Sequence, residues 1–397
     1  MTENLKEKIR QLSLNYFQDT VALRRHIHQY PELSGKEYNT AKFVAETLQN
    51  YGISPLFLLN KTAVTAIIEG QNPSSRTIAL RADMDALPVQ ENNNLDFRSV
   101  NEGIMHACGH DIHTASLLTT ARILQELKNE WRGSVKLIFQ PSEEKFPGGA
   151  IQLIDEGILE NPKVNVVLGM HVSPEIETGK IGMKPGNYMA STDEIYITIV
   201  GKGGHAAIPE SFINPLIIAS KILIELESFY TKYSPDILPG VLTFGHIIGK
   251  GRTNIVPDSV KIEGTLRTFN EDFRLSAHKL IPEIASKIAG QMGGKVETFI
   301  DHGYPVLKND ERLTQKAFLI LQDFLGKENV LPLEYRMTAE DFAYYSQRIP
   351  SVFYRLGVKT DNHPNNLHSS DFIANEQALQ LSAALMVFLA MNVIEEK

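Results

Sequence analysis

The sequence has a single cysteine, Cys108, among its 397 residues, so an internal disulfide is excluded. We therefore expect a protein of a reducing compartment, the cytoplasm. The sequence also lacks any apolar run near the roughly 18 residues that a membrane span needs, and its charged N-terminal segment is unlike a signal peptide. Basic residues are outnumbered by acidic ones, 39 to 47, and the net charge of −8 disfavours nucleic acid or anionic membrane as partners.

What the chain does have is the composition of a globular protein, with 43% hydrophobic and 22% charged residues. A length of 397 residues exceeds what one hydrophobic core usually organises, so we expect two domains. Two different patterns of secondary structure along the chain indicate where those domains divide.

The first pattern consists of apolar runs rich in Val, Ile and Leu, separated by amphipathic helices. Runs without alternation are typical of parallel strands that are covered on both faces. This order predicts an α/β fold with a central, mostly parallel sheet flanked by helices. The predicted strands cover residues 63–68, 77–82, 135–139 and 164–170, and the predicted helices cover residues 41–51 and 115–127.

The second pattern begins near residue 194 and runs strand, helix, strand, strand, helix, strand, which is the ferredoxin-like α+β order. We expect it to form an inserted domain over residues 185–296, close to the common domain size of about 100 residues. The α/β pattern then resumes, so residues 1–184 and 297–397 are expected to form one discontinuous domain.

Polar residues follow three of the predicted parallel strands. Asp83 and Asp85 come after the strand 77–82, Glu143 and Glu144 after the strand 135–139, and His171 after the strand 164–170. Ligands of open α/β sheets bind at the carboxyl ends of the strands. The sequence therefore predicts that these side chains meet at one edge of the sheet.

The strongest local signal is the spacing of Cys108 and His110, with His106 and His113 close by. Thiolate and imidazole together suit Zn²⁺ and similar divalent ions. A lone cysteine is as often a small buried hydrophobic residue. Three histidines within five positions of Cys108 favour a metal site instead.

The adjacent Glu143 and Glu144 can serve two purposes, because one carboxylate can bind a metal while the other acts as a general base. Most pairs of neighbouring glutamates are simply solvated, but these two follow an apolar strand. His171 and His368 are weak signals by pattern alone. His26 and His28, at the end of an arginine-rich helix, are expected to be surface or packing residues.

Further motifs occur in order along nearly the whole chain. They are Arg24-Arg25-His26, Pro31-Glu32-Leu33, Arg81-Ala82-Asp83-Met84-Asp85-Ala86-Leu87-Pro88, the segment from Met105 to His113, Gln140 to Glu144, Gly204-His205-Ala206-Ala207, Asn254-Ile255-Val256-Pro257-Asp258, Glu340-Asp341-Phe342 and Leu367-His368. In these motifs the sequence resembles the two-metal amidohydrolases that include hippurate hydrolase, N-acetyl-diaminopimelate deacetylase and indole-acetyl-amino-acid hydrolases, which are relatives of aminoacylase and of carboxypeptidase-type metallopeptidases.

The resemblance implies two divalent ions per subunit, Zn²⁺, Mn²⁺, Co²⁺ or Ni²⁺, with the Cys108 sulfur bridging them. The implied ligands are Cys108, His110, Glu144, His171 and His368. Glu143 is then expected to be the catalytic base, and Asp85 to orient a ligand or the base from behind. Further supporting residues are expected to be Asp83, Asp111 and His113.

The resemblance also implies that the inserted domain makes a homodimer. His205 is then expected to enter the active site of the other subunit and hold the scissile carbonyl, with Asn254 assisting. Arg267, near the end of a predicted strand, is a candidate for binding a substrate carboxylate, but a surface salt bridge is the role that such a position favours.

The implied activity is hydrolysis of the amide bond of N-acyl amino acids, such as N-acetyl or N-benzoyl derivatives, by a metal-dependent deacetylase or amidohydrolase. A dipeptidase or carboxypeptidase on the same scaffold is the nearest alternative, and a non-catalytic metal-binding module is a more distant one. A cytidine-type zinc deaminase is excluded, because its Pro-Cys-x-x-Cys element needs two cysteines.

Overall fold

The computed structural model describes residues 2–235, 238–360 and 366–394. Its helices are α1 (Glu3–Asn15), α2 (Phe17–Gln29), α3 (Tyr38–Asn50), α4 (His110–Glu126), α5 (Gly149–Asp155), α6 (Pro215–Glu227), α7 (Phe229–Tyr233), α8 (Glu271–Gln291), α9 (Glu311–Leu325), α10 (Ala343–Ser346) and α11 (Ala378–Ile394). Its strands are β1 (Pro55–Leu58), β2 (Ala63–Glu69), β3 (Thr77–Asp83), β4 (Ser134–Gln140), β5 (Val166–Glu177), β6 (Ile181–Met183), β7 (Gly186–Met189), β8 (Asp193–Val200), β9 (Gly204–His205), β10 (Gly240–Ile248), β11 (Ile255–Val256), β12 (Ser259–Thr268), β13 (Lys295–His302), β14 (Leu307–Asn309), β15 (Val330–Pro332) and β16 (Ser351–Lys359). None of the helices in these ranges combines the length and the apolar character needed to cross a membrane.

The chain divides into two compact units. The first comprises Met1–Gly186, Lys308–Glu334 and Asp341–Lys397, and the second comprises Asn187–Leu307 and Tyr335–Glu340. The main part of the second unit therefore ends later than the predicted boundary at residue 296. The reason is that β13 pairs with β8 over its whole length, so a division at residue 296 would cut a strand away from its sheet.

The first unit is built on an eight-stranded sheet with the order β1-β2-β4-β3-β5-β16-β6-β15. The central strands β4, β3, β5 and β16 run parallel to one another, whereas β1 and β2 add antiparallel pairs on one side. Every residue of β3 and β4 is buried, which explains why their sequences are apolar without alternation. The predicted α/β fold with a mostly parallel sheet flanked by helices is confirmed.

The register of the parallel strands aligns the residues at the edge of the sheet. Asp83 in β3 is the partner of Gln140 in β4, so these two strands end together. β5 does not stop before His171, as the pattern predicted, but continues to Glu177. It continues because β16 pairs with it beyond this point, with Arg355 opposite His171. His171 therefore lies within a strand and does not follow its end.

The second unit contains a four-stranded antiparallel sheet with the order β10-β12-β8-β13. Its main elements follow one another as β8, α6, β10, β12, α8 and β13, which is a split βαβ arrangement. Ile195, Ile197 and Ile199 of β8 are buried in a core that residues of α6 and α8 complete. Residues between them, such as Tyr196, lie on the other face, so β8 alternates with the period of two that a half-covered strand requires.

Candidate metal centre

The candidate site lies where β3 ends and α4 begins. β3 ends at Asp83, and Asp85 follows shortly after it in the sequence. Both carboxylates are buried. α4 begins at His110, earlier than the predicted start at residue 115, and follows Gly109, whose φ is +81°. A Cβ at Gly109 would lie 2.6 Å from Cγ2 of Val172. The sharp turn between the cysteine and the histidine therefore needs glycine.

His110 is fully buried, and a hydrogen bond to Asp85 orients its ring. Its Nδ1 lies 3.1 Å from Oδ1 of Asp85 and donates to that carboxylate, so in the neutral form of the ring the lone pair is on Nε2. Nε2 makes no hydrogen bond to any described residue, and its nearest carboxylate oxygens, on Asp83 and Glu144, are 3.8 and 3.9 Å away. Burial alone would lower the pKa of His110, but these carboxylates raise the pKa to about 10.

His171 directs its Nε2 at the cysteine. Its Nδ1–H donates to the carbonyl oxygen of Val172 over 2.7 Å, and Nε2 lies 3.4 Å from Sγ of Cys108. Burial, and then the charge of Arg355, hold the pKa of His171 well below its usual range. Burial also raises the pKa of the Cys108 thiol, and neighbouring carboxylates raise that pKa further. The imidazole is thus in its neutral, metal-binding form, whereas the thiolate needs a cation beside it.

Glu144 and His368 face each other at the same site. Nε2 of His368 lies 3.1 Å from Oε1 of Glu144, and this contact raises the pKa of His368. The His368 backbone has a φ of +66°, and its N–H donates to the carbonyl of Ala107 at 2.8 Å. That hydrogen bond connects the loop before α11 to the segment that carries Cys108.

Two sets of donor atoms share the Cys108 sulfur. One set is Cys108, His110 and His171, the other is Cys108, Glu144 and His368, and the atoms of each set lie within 4.8 Å of one another. The structure thus brings together all five residues that the resemblance implies as ligands. Thiolate, imidazole and carboxylate donors in this number suit two divalent ions. Such an ion would also satisfy the buried Nε2 of His110, so the residues present fit a two-metal site.

Glu143 lies beside these donors and is only 6% exposed. Its carboxylate forms another set within 4.8 Å with donor atoms of His110 and Glu144. Its Oε1 accepts the backbone N–H of Asp341 at 3.4 Å. The two adjacent glutamates therefore diverge, Glu144 towards His368 and Glu143 towards Asp341. This divergence allows one of them to bind an ion and the other to face the reacting water.

His113 is engaged through both ring nitrogens. Its Nε2 accepts the N–H of Val172 at 2.9 Å, and its Nδ1 donates to Oδ1 of Asp83 at 2.5 Å. The second oxygen of Asp83 accepts from Arg81 at 2.5 Å. His113 therefore has no lone pair to offer an ion, and it connects β3 to β5 behind the donors.

A buried ionic network on Arg81 was missed by the sequence reasoning. Besides Asp83, the guanidinium of Arg81 donates to Oε1 of Gln140 at 2.9 Å and to Oδ1 of Asp341 at 2.7 Å. Gln140 in turn donates to both oxygens of Asp341. The signal was an arginine inside an otherwise apolar strand, since a charge in such a position must be paired.

Of the two roles expected for His28, a surface position is wrong, because its side chain is buried and hydrogen-bonded. His28 is 1% exposed, its Nδ1 lies 2.8 Å from Oδ2 of Asp111, and its Nε2 lies 3.2 Å from Glu91. Arg24 donates to the same Asp111 oxygen at 2.7 Å. The signal was the spacing of Arg24 and His28, which places both on one face of α2. Asp111 thus anchors the first turn of α4 to α2, next to His110.

His205 and Asn254, predicted to contact substrate, lie in the second unit. β9 pairs with β11, where Ile255 is the partner of His205, and the carbonyl of Asn254 accepts the N–H of Ala206 at 3.1 Å. Ala207 donates its N–H to Nδ1 of His205 at 3.2 Å. The neutral ring therefore carries its proton on Nε2. Because His205 is exposed, this N–H is available to donate to a ligand.

Arg267 lies on β12, opposite Val241 of β10. Burial lowers its pKa, although the charges of Asp193 and Glu194 oppose that shift. Within the part of the chain that the structure describes, no ion pair involves Arg267. The surface salt bridge considered from the sequence is therefore not found there, and the guanidinium is a candidate for binding an anionic group.

Comparison with known proteins identifies relatives of this chain. The sequence model described as peptidase family M20/M25/M40 matches residues 79–392. The N-acyl-L-amino acid amidohydrolase of Geobacillus stearothermophilus is 42% identical over 77% of this chain and 82% of its own length. Thermostable carboxypeptidase 1 of Saccharolobus solfataricus is 36% identical over 99% of this chain and 98% of its own. A dinuclear metal-binding M20 peptidase from Bacillus subtilis, 33% identical, has a TM-score of 0.85 and covers 96% of this chain and 99% of that one.

Replacement of Asp85 by alanine is expected to weaken the binding of divalent ions about 10- to 100-fold. His110 would lose the carboxylate that fixes its tautomer, and Glu144 would lose the acceptor of its N–H. The measurement is a calorimetric titration of metal-stripped protein with Zn²⁺. Asp155→Ala, which removes an exposed carboxylate of α5, is the matched control. Equal affinities for the two variants would contradict the supporting role of Asp85.

Proposed function

Because the chain belongs to peptidase family M20/M25/M40, we propose that it hydrolyses the amide bond of small N-acyl amino acids to a carboxylate and a free amino acid. The observation that carries this proposal is the pair of donor sets that share the Cys108 sulfur. An amidohydrolase of N-acyl-L-amino acids among the relatives supports the choice of substrate class. A reducing compartment, the cytoplasm, suits the buried free thiol.

The proposed site holds two divalent ions, of which Zn²⁺, Mn²⁺, Co²⁺ and Ni²⁺ are the candidates. The proposed ligands are Cys108, His110, Glu144, His171 and His368. When bound, the two ions supply Lewis acidity and a water of lowered pKa. The remaining tasks fall to side chains of the protein, which must move protons, hold the substrate and keep the ligands in place.

Glu143 is the proposed base. It takes a proton from the attacking water and later delivers it to the nitrogen of the leaving amine, so one carboxylate serves both steps. Its contact with the backbone N–H of Asp341 holds the carboxylate beside the donor atoms. Asp85 keeps the lone pair of His110 on Nε2 and fixes the backbone of Glu144. Asp83 and His113 support the same donors by connecting β3 to β5.

The second unit is proposed to contact the substrate across a homodimer. His205 can donate from Nε2, and a donor aimed at the developing oxyanion is typically worth about 100- to 1,000-fold in rate. We propose that this donor enters the site of the partner subunit, with Asn254 beside it. Arg267, which has no ion pair within the described residues, is proposed to bind the carboxylate of the N-acyl amino acid.

Peptide hydrolysis on the same scaffold is the second candidate function. It is favoured by the similarity, over nearly the whole chain, to a thermostable carboxypeptidase. Both reactions cleave an amide beside a carboxylate and use the same base and ligands. They differ in the group on the acyl side of the scissile bond, which is a simple acyl group in one case and an amino acid or peptide in the other.

A substrate panel separates the two candidates. N-acetyl, N-benzoyl and indole-acetyl amino acids, N-acetyl-diaminopimelate, dipeptides and peptides are assayed with metal-stripped protein to which each candidate ion is added. We expect kcat/KM for the best N-acyl amino acid to exceed that for the best peptide at least about tenfold, equivalent to a difference of about 1.4 kcal/mol in transition-state binding. The reverse preference would favour the carboxypeptidase, and no turnover with any ion would refute both.

Glu143→Gln is expected to lower kcat by about 100- to 10,000-fold, because the amide cannot accept the proton. Metal content, measured by elemental analysis, should stay at the parent value, since Glu143 is not among the proposed ligands. Glu102→Gln, which changes an exposed carboxylate, is the control and should keep full activity. A Glu143 variant that turns over near the parent rate would rule out its role as the base.

His205→Ala is expected to lower kcat about 100- to 1,000-fold without unfolding the protein. If His205 acts in the partner's site, a mixed dimer of the His205→Ala and Glu143→Gln chains contains one site with both residues intact. Co-expression with two affinity tags and assay of the doubly tagged species should then recover up to half of the parent activity. Absence of any recovery in a verified mixed dimer would mean that His205 does not act across the interface.

A further inference from the structure

Glu37 is a buried carboxylic acid for which the proposed mechanism has no use. It directly precedes α3 and is fully buried. Its Oε1 accepts two backbone N–H groups, from Gly35 at 2.9 Å and from Ser142 at 2.8 Å. A single oxygen atom thus joins the loop before α3 to the segment that follows β4.

Ser142 is the residue at which the chain turns from β4 towards the two glutamates. Its φ is +57°, a conformation that few residues other than glycine adopt. Such a conformation persists only where the surrounding structure holds it. Here the N–H of Ser142 donates to Glu37, and its carbonyl accepts the N–H of Gly149 at 3.0 Å. These two hydrogen bonds fix the direction in which the next two residues leave the turn.

The loop before α3 also reaches the far end of this turn. The hydroxyl of Ser34 donates to Oδ2 of Asp85 at 2.7 Å, and the same oxygen accepts the N–H of Glu144 at 2.9 Å. The turn is therefore held at Ser142 by Glu37 and at Glu144 by Asp85. Glu143 lies between the two attachment points, so its position depends on both.

We propose that Glu37 is a positioning residue, whose carboxyl oxygen holds the turn at Ser142 so that Glu143 and Glu144 reach their places in the site. The inference rests on the proposed function, which makes these two glutamates the base and a ligand. Glu37 acts on both of them through the main chain, because it accepts the N–H of Ser142. A displacement of about 1 Å in a reacting group can lower a rate on the order of 100-fold.

The role requires an acceptor oxygen and not a negative charge. Burial, and then the nearby charge of Asp85, raise the pKa of Glu37 to about 7, although its N–H donors oppose that shift. Near neutral pH the carboxyl is therefore only partly ionised. Glutamine at this position keeps an oxygen of the same reach without the charge, whereas alanine leaves both N–H groups without this acceptor.

The test compares E37A and E37Q, with E32A as the control for damage to the same loop. Glu32 caps α3 by accepting the N–H groups of Asn39 and Thr40, at 2.9 and 2.8 Å, and its side chain does not contact the turn at Ser142. The measurements are kcat and KM on the best N-acyl amino acid, the affinity of metal-stripped protein for Zn²⁺, and Tm.

E37A is expected to lose kcat about 10- to 100-fold, with KM changed less than about twofold, and to bind Zn²⁺ about tenfold more weakly. E37Q should stay within about threefold of the parent in kcat and in affinity, as expected if only the oxygen matters. E32A should lower Tm and leave kcat and affinity unchanged. A fall in kcat with little change in KM, reversed when glutamine replaces alanine, is not expected of a residue that only stabilises the fold.

The proposal is overturned if E37A keeps the kcat and the Zn²⁺ affinity of the parent, or if E37Q is as impaired as E37A. It is also overturned if E32A loses kcat to the same extent as E37A. Should E37A not fold, E37D replaces it, because aspartate withdraws the oxygen by one methylene group. An E37D variant with the same kcat and Zn²⁺ affinity as E37Q would then contradict the proposal. If the parent hydrolyses no N-acyl amino acid, the proposed function fails, but the Zn²⁺ affinities still decide whether Glu37 positions Glu144.

Discussion

The candidate site depends on the burial of two carboxylates at the end of β3. Asp83 and Asp85 are almost completely excluded from water, where an ionised carboxylate without partners is strongly unfavourable. Each must therefore be hydrogen-bonded, and several of the partners belong to the site itself. Asp85 accepts from His110 and from the backbone of Glu144, and Asp83 accepts from His113. The need to satisfy Asp85 sets the direction of the His110 ring and of the backbone at Glu144.

The same burial concentrates negative charge at one place. Carboxylates around His110 raise its pKa to about 10, and burial together with neighbouring carboxylates raises the pKa of the Cys108 thiol. Arg81 neutralises part of this charge from the side of the sheet, through Asp83 and Asp341. The negative charge that Arg81 does not neutralise lies beside the donor atoms. A region of this kind attracts cations, which is the electrostatic counterpart of the donor geometry.

The two units present different kinds of group. The first unit supplies donor atoms from a sheet edge, the start of a helix and a loop, and buried hydrogen bonds hold His110 and the backbone of Glu144 to Asp85. The second unit supplies exposed groups, among which His205 has its tautomer set by the N–H of Ala207. Donors held in place by buried hydrogen bonds suit the binding of ions, whereas an exposed donor suits the substrate contact that is proposed for His205.

The α/β class could be predicted from the sequence alone, because β3 and β4 show their burial on both faces as continuous apolar runs. The spacing of Cys108 and His110 likewise predicted thiolate and imidazole donors at one place, since neighbours in sequence are neighbours in space. The ends of the predicted strands also placed Glu144 and His171 at the same edge of the sheet, but the full set of implied ligands, with His368, came from the resemblance to a family. His171 and His368 are ordinary histidines in their local sequence.

Only the tertiary structure decided which groups share the Cys108 sulfur, and that β5 passes through His171 because β16 lies beside it. It also placed His28 and Arg81 in buried ionic networks, and it placed Glu37 where its carboxylate accepts the N–H of Ser142. The physical reason is the same in each case. A local pattern records which residues avoid water, whereas the partners of a buried polar group are chosen by strand register and packing between segments far apart in the chain.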